Sequence, residues 1–336
     1  MKVIFLGPST KASGMSVVFE LADRLSERNN DVRIVTFDEV IPVDFHPLKT
    51  SCYSLNSVLE PVRDADVIIG FYPVSAFFLS EFETKAKKFQ LVTDDQRIFY
   101  DRELFKFQKE LDEDRIEIEY QRQQNYITAS YQLPLTYLAT NKLLDSQLKQ
   151  YTKKVKIIPI GVNHELYFPE ATFPKSRIRI LVEGNMMPWK GVSNINTMLS
   201  DLVGYELWTV SDTSFTIKSD KHWKGLTAWQ TRQVLSSCDI LIRAYKEDGT
   251  AELQAQAMAC GCVVLTTDTS GAHMFCKDQV NCLILGNNYP SKKLEKLIND
   301  KKLREKLIRG GLETAKELDW NKSIDILVKV IGGKNG

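Results

Sequence analysis

Asp248-Gly249-Thr250-Ala251-Glu252-Leu253-Gln254-Ala255-Gln256-Ala257-Met258-Ala259-Cys260-Gly261 decides the fold of this chain. The apolar run Cys238-Asp239-Ile240-Leu241-Ile242-Arg243 precedes it and reads as a buried strand. Cys262-Val263-Val264-Leu265-Thr266-Thr267-Asp268 follows it and reads as a second. Between them a polar loop opens a short, Ala-rich helix. Strand, loop, helix and strand form the repeat unit of a parallel sheet. Ligands of such sheets sit at the carboxyl ends of the strands, where loops meet helix starts. Backbone N–H groups at a helix start favour an anion there, such as a diphosphate.

The segment Gln256-Ala257-Met258-Ala259-Cys260-Gly261 resembles the Glu-Ala-Met-Ala-Cys-Gly segment of retaining glycosyltransferases of family 4, also called glycosyl transferases group 1. That family sets two glutamates eight positions apart, the second just before Ala-Met. Here those positions hold Asp248 and Gln256, so the frame is kept and the chemistry altered. Other registers fail, because Glu252 would pair with Ala244 and Glu247 with Ala255. The resemblance implies an α/β GT-B fold, in which two Rossmann-like domains with parallel sheets face an interdomain cleft.

Composition agrees with two ordinary globular domains. The 336 residues exceed one small core. Hydrophobic residues make up 43% and charged residues 26%, as in soluble proteins. A net charge of +1 argues against nucleic acid as a partner. No apolar run approaches the ~20 residues of a membrane helix. Met1-Lys2-Val3-Ile4-Phe5-Leu6-Gly7 reads as a first strand, not a leader. The six cysteines form no pair of Cys-x-x-Cys units, so a zinc site is not expected. They read as reduced core thiols of a cytoplasmic protein.

Along the chain, residues 3–6 read as a strand, 7–14 as a small-residue loop, 16–28 as a helix and 32–37 as the next strand. This βαβ unit lacks the Gly-x-Gly-x-x-Gly fingerprint, which disfavours a nicotinamide cofactor. It resembles the N-terminus of family 4, with Gly14 as the closing glycine of the loop. Further strands are expected at 66–71, 89–93, 137–140 and 156–159, and helix over the charged stretch 101–124. Ile158-Pro159-Ile160-Gly161-Val162-Asn163 with Phe168-Pro169 is similar to the family segment that closes the N-domain. A strand at 177–183 then leads into Gly184-Asn185-Met186-Met187-Pro188-Trp189-Lys190-Gly191. The family has Gly-Arg…Lys-Gly there: Lys190 and Gly191 match, and Asn185 replaces the Arg. A helix at 227–237 is expected next. Leu318-Asp319-Trp320-Asn321-Lys322-Ser323 resembles the family's final, tryptophan-bearing helix. The domains expected are thus 1–169 on the acceptor side, 170–318 on the donor side, and 319–336 as a helix crossing back.

The resemblance assigns roles. Lys190 would stabilise a leaving diphosphate. Asp248 would accept from a sugar hydroxyl, and Gln256 would hold the ribose. An amide can do so, without a carboxylate's charge-assisted strength. Gly14, Asn185, Gly249, Thr250, Ala251 and Glu252 would complete the donor site. The family's N-domain His falls at Asp94, beside Asp95, so Asp94 is the candidate there; both acids also fit a capping role. His273 reads as structural. No metal or cofactor is implied beyond the nucleoside-diphosphate sugar as co-substrate. The expected activity is retaining transfer of a hexosyl or related sugar to a glycan, lipid-linked or other hydroxyl acceptor. Lys85, Lys87 and Lys88 with Lys142, Lys149, Lys153, Lys154 and Lys156 suggest a basic patch for peripheral contact with the inner membrane face. Two other readings stand beside this one: a GT-B sugar-nucleotide epimerase, and a non-catalytic partner subunit of another transferase.

Overall fold

A computed structural model of the chain describes residues 1–9, 14–38, 48–55, 62–107, 112–170, 172–185, 187–200, 202–211, 217–286 and 289–332. His46 and residues 10–13 of the first glycine loop lie outside these, as does Met186. The chain forms two compact units: residues 1–160 with 320–336, and residues 161–319.

Among the described residues the first unit holds seven strands: β1 (Lys2–Gly7), β2 (Asp31–Thr36), β3 (Cys52–Ser54), β4 (Val67–Phe71), β5 (Lys87–Val92), β6 (Thr136–Ala139) and β7 (Val155–Ile157). They pair in parallel in the order β3-β2-β1-β4-β5-β6-β7. The central strands are buried on both faces, which is why they read as unbroken apolar runs. The Met15–Glu27 helix lays Val17, Val18, Leu21, Ala22 and Leu25 into the core. Each of these Val and Leu side chains contributes about 1.5–3 kcal/mol on burial.

The second unit repeats the plan. Its strands are β8 (Ile178–Glu183), β9 (Tyr205–Val210), β10 (Lys221–Trp223), β11 (Ile240–Arg243), β12 (Val263–Thr266) and β13 (Leu283–Ile284). They are parallel, in the order β10-β9-β8-β11-β12-β13. Both sheets therefore reverse their strand order once in the middle, at β1/β4 and at β8/β11. A crevice opens at such a point, because the connections leave in opposite directions. The Ala228–Ser237 helix starts on a capping box, Thr227 with Gln230.

Two boundaries differ from the sequence reading. The first unit ends at residue 160, not 169. Residues 161–170 belong to the second unit because they are tied to it: Val162 N–H donates to Leu318 O at 2.9 Å, Ser236 Oγ to Phe168 O at 3.0 Å, and Arg232 pairs with Glu170. The stretch 101–124 is not one helix. Arg102–Phe107 and Glu113–Ser130 are separate, the second restarted by Asp112, whose side chain accepts from Arg115 N–H. The last helix, Trp320–Ile331, lies in the first unit, where Asp325 pairs with Arg28 and Ile331 O accepts from Lys87 Nζ. Lys88 Nζ likewise donates to Phe82 O at 2.6 Å. Two lysines of the expected basic patch are thus spent on carbonyls. No helix among the described residues is long and apolar enough to cross a membrane.

Candidate functional site

The carboxyl edge of the second sheet gathers the second-unit residues expected at the donor site, Asn185, Lys190 and those from Asp248 to Gln256. After β8 the chain makes a turn at Pro188–Lys190 and enters the Val192–Leu199 helix through Gly191. Gly191 has φ +65°, and a Cβ there would stand 2.1 Å from Ala244 O. Only glycine lets this turn press against the end of β11. Trp189 O accepts from Lys246 N–H at 2.7 Å. So the loops after β8 and β11 lie side by side.

Lys190 Nζ meets the Tyr245 hydroxyl, lies 3.6 Å from Glu183 Oε1 and sits 4.0 Å from the Tyr245 ring centroid. Burial pushes its ammonium below the ordinary lysine range, although Glu183 opposes the shift. Asn185 supplies no cation. Its side-chain oxygen accepts from Met187 N–H at 3.0 Å and so shapes its own loop.

Arg243, the last residue of β11, is the group the sequence reading missed. Its Nη1 is 3.2 Å from Glu183 Oε2, its Nε is 3.0 Å from Asp248 Oδ2, and its guanidinium lies 4.0 Å from the Tyr245 ring centroid. The Nε contact is an ion pair by distance, though Nε–H is not aimed as a hydrogen bond. A charge closing an otherwise apolar strand, Ile240-Leu241-Ile242-Arg243, was the available signal. Burial alone would lower the Arg243 pKa, but Asp248 and Glu183 outweigh it and the guanidinium stays charged. Burial likewise acts to raise the Glu183 carboxyl, and Arg243 and Lys190 outweigh it, so the group lies below its usual range.

Asp248 is placed differently from the expected role. It is buried, at 7% exposure. Its carboxylate accepts from Ala251 N–H at 3.0 Å and from Gln254 Nε2 at 3.3 Å, besides pairing with Arg243. It is committed to holding its own loop. Gln254, another residue not singled out from sequence, is fully buried and also reaches Thr266 Oγ1 at 3.3 Å. Gly271 N–H donates to Asp248 O at 2.9 Å, and a Cβ on Gly271 would stand 2.6 Å from that oxygen. The loop from Asp248 to Ala251 is therefore clamped from both sides. Gly249 and Thr250 are buried in it. Ala251 ends it at φ +49° and starts the Glu252–Ala259 helix. Gln256 is half-buried, and its amide donates to Glu252 Oε1 at 3.2 Å, one turn earlier. His273 is exposed and faces Asp268 at 3.2 Å.

In the first unit, Gly14 and Asp94 meet through Thr93. A Cβ on Gly14, at φ +77°, would stand 3.2 Å from Thr93 Oγ1, and that hydroxyl donates to Asp94 Oδ2 at 2.8 Å. Asp95 takes the capping role instead: it accepts from Arg97 N–H and pairs with the Arg97 guanidinium at 2.7 Å. Among the described residues, no three His, Cys, Asp or Glu side chains gather as metal ligands.

No family model matches the chain, and no curated protein matches it. Solved structures do. The chain is similar to sucrose-phosphate synthase from Thermosynechococcus elongatus, with a TM-score of 0.74 and 14% identity over 98% of both chains. It is similar to Anabaena HepE in complex with UDP-glucose, with a TM-score of 0.77 and 13% identity over 99% of both. It is also similar to WaaG, a glycosyltransferase involved in lipopolysaccharide biosynthesis, with a TM-score of 0.71 and 14% identity over 99% of this chain and 100% of that one. At such identities the likeness defines the fold: two parallel-sheet α/β units of the GT-B class.

Proposed function

We propose that this chain is a glycosyltransferase that takes its sugar from a nucleoside-diphosphate donor bound on the second unit. One observation carries the reading. Lys190 and the start of the Glu252–Ala259 helix, far apart in sequence, stand on adjacent loops at the carboxyl edge of one sheet, at its switch point. A cation beside helix N–H groups suits a diphosphate. HepE, of the same fold, holds UDP-glucose.

In this reading Lys190 neutralises the leaving diphosphate, the N–H groups of residues 249–252 receive phosphate and sugar, and Gln256 takes the ribose hydroxyls. Asp248 acts through the loop it holds. Transfer proceeds with retention: the acceptor oxygen bonds to the anomeric carbon on the face the diphosphate leaves. The acceptor's proton passes to a diphosphate oxygen. No metal is required, since Lys190 and the helix start serve the phosphates. The acceptor is a glycan or lipid-linked hydroxyl, received on the first unit, where Asp94 is the candidate group. The exposed lysines 142, 149, 153, 154 and 156 would face an anionic surface at the inner membrane.

A second reading is favoured by a specific observation. Glu183 and Asp248 already neutralise Lys190 and Arg243, which suits a non-catalytic partner with a worn donor site. A panel of radiolabelled nucleotide sugars separates the two. The enzyme should release or transfer sugar from one of them, with and without EDTA, and that donor should raise the melting temperature. At 100 times its dissociation constant a ligand adds about 2.7 kcal/mol. The absence of both turnover and stabilisation with every donor supports the partner reading with its worn donor site, and abolition by EDTA with rescue by magnesium overturns metal independence.

A further inference from the structure

Arg243 and Glu183 owe their meeting to strand register. β8 and β11 pair in parallel with Ile242 opposite Val182, so each strand's last residue stands beside the other's at the point where strand order reverses. Three donors converge on the single Glu183 carboxylate. They are Arg243 Nη1 at 3.2 Å, Lys190 Nζ at 3.6 Å, and the Tyr245 hydroxyl at 2.7 and 2.5 Å from its two oxygens. Two cations and a hydroxyl aimed at one anion are the donor set of a phosphate site. The anion they hold belongs to the chain itself.

The arrangement has a physical reason. Lys190 and Arg243 both lie 4.0 Å from the Tyr245 ring centroid, so two like charges share one small region. They are mostly withdrawn from water, with 20% and 13% of their side-chain surface exposed. Two such cations without a counter-ion would be costly. With Glu183 and Asp248 the four charges sum to zero. A diphosphate brings at least two negative charges, and it meets a site whose cations are already matched. Glu183 keeps 21% of its side-chain surface open, so the cluster is reachable from solvent. Asn185, tied to Met187 N–H, offers no replacement cation.

We propose that Arg243 and Lys190 together form the diphosphate clamp, and that Glu183 fills it when no donor is bound, as an internal competitor for the donor's phosphates. This rests on the donor reading above. Arg243 then supplies, from β11, the second cation that the loop after β8 lacks. Its planar fork can bridge two phosphate oxygens where an ammonium meets one. Donor binding must draw Lys190 and Arg243 away from Glu183, so the native chain binds diphosphates more weakly than its cations alone would.

Calorimetric titration with UDP and with inorganic pyrophosphate tests this. Glu183→Gln keeps the shape and removes the charge, and should tighten both ligands at least about 10-fold, one decade of dissociation constant. Glu183→Ala removes the charge and the bulk together, should tighten both ligands in the same direction, and serves if Glu183→Gln does not fold. Arg243→Ala should weaken both ligands about 10-fold or more, and Arg243→Lys should restore part of the loss. Lys175→Ala, outside the cluster, should change nothing. If the native chain binds UDP and the Glu183 and Arg243 variants bind it equally well, the clamp is overturned while the donor reading stands. If Glu183→Gln binds pyrophosphate and the native chain does not, the internal competitor is supported. If no variant binds either ligand, clamp and donor reading fall together.

Discussion

Arg243 Nη1 stands 3.2 Å from Glu183 Oε2 because the two residues close neighbouring strands at the switch point of one sheet. A β-strand's last side chain is placed by the ladder behind it, so the pair is held by backbone register rather than by a mobile loop. Lys190 reaches the same carboxylate from the next loop. The chemistry expected of this edge therefore depends on charges that are fixed before any ligand arrives.

Lys190→Ala should cut sugar transfer by about 100-fold, the ~3 kcal/mol that losing one preorganised contact to developing charge costs. The fold should persist, since Arg243 still neutralises Glu183. Transfer rate and urea midpoint are the two measurements. An unchanged rate in a folded variant removes Lys190 from the chemistry.

Gly191→Ala should destabilise by more than about 2 kcal/mol. The left-handed backbone at φ +65° costs a residue with a Cβ about 1–2 kcal/mol. The added methyl would also stand 2.1 Å from Ala244 O, a backbone atom with little room to move. Urea unfolding reads the difference, and a midpoint equal to that of the native chain would show that the turn and β11 do not press together.

These positions show how much the sequence carried. Central strands such as β4 and β12 were legible because burial on both faces demands apolar runs. Edge strands β3, β10 and β13, only two or three residues long, give no such pattern. The break between Arg102–Phe107 and Glu113–Ser130 was hidden by charge that favours helix throughout. Within the site, the Lys190-Gly191 turn and the loop from Asp248 were found through the family resemblance, and the loops after β8 and β11 adjoin. The direction of a side chain is not in the spacing. Asp248 turns inward because Gln254 and Ala251 N–H offer it donors and Arg243 offers it an opposite charge. Arg243 looked like the end of a strand, and Gln254 like one more helix residue.

Glu247→Gln should flatten part of the pH–stability curve. Burial raises the Glu247 carboxyl above its usual range, against the hydrogen bonds from Ser270. The folded chain thus holds this proton more tightly than the unfolded chain. Stability must then fall as pH rises from the ordinary carboxylate value to the raised one, and level off above it. Urea midpoints taken from about pH 4 upward follow that window. A variant with the same slope as the native chain assigns the slope to other groups.

The last pair of substitutions separates loop-holding from ligand-holding. Asp248→Asn keeps the shape but removes the charge that faces Arg243 and weakens the acceptor for Ala251 N–H. It should cost about 1–3 kcal/mol of stability and weaken donor binding through the loop it loosens. Gln256→Glu acts on the half-buried face instead. The new carboxylate accepts more strongly from ribose hydroxyls and lies in the second turn of a helix whose N-terminus favours acid. Against it stands Glu252, one turn earlier and now 3.2 Å from the Gln256 amide, so a like-charge pair costs a few tenths of a kcal/mol. Donor affinity should be kept or tightened while stability falls slightly. Calorimetry with the turned-over nucleotide sugar, beside urea unfolding, reads both quantities. Donor binding that ignores both substitutions would place the nucleotide away from the Glu252–Ala259 helix and remove the register on which the donor site is built.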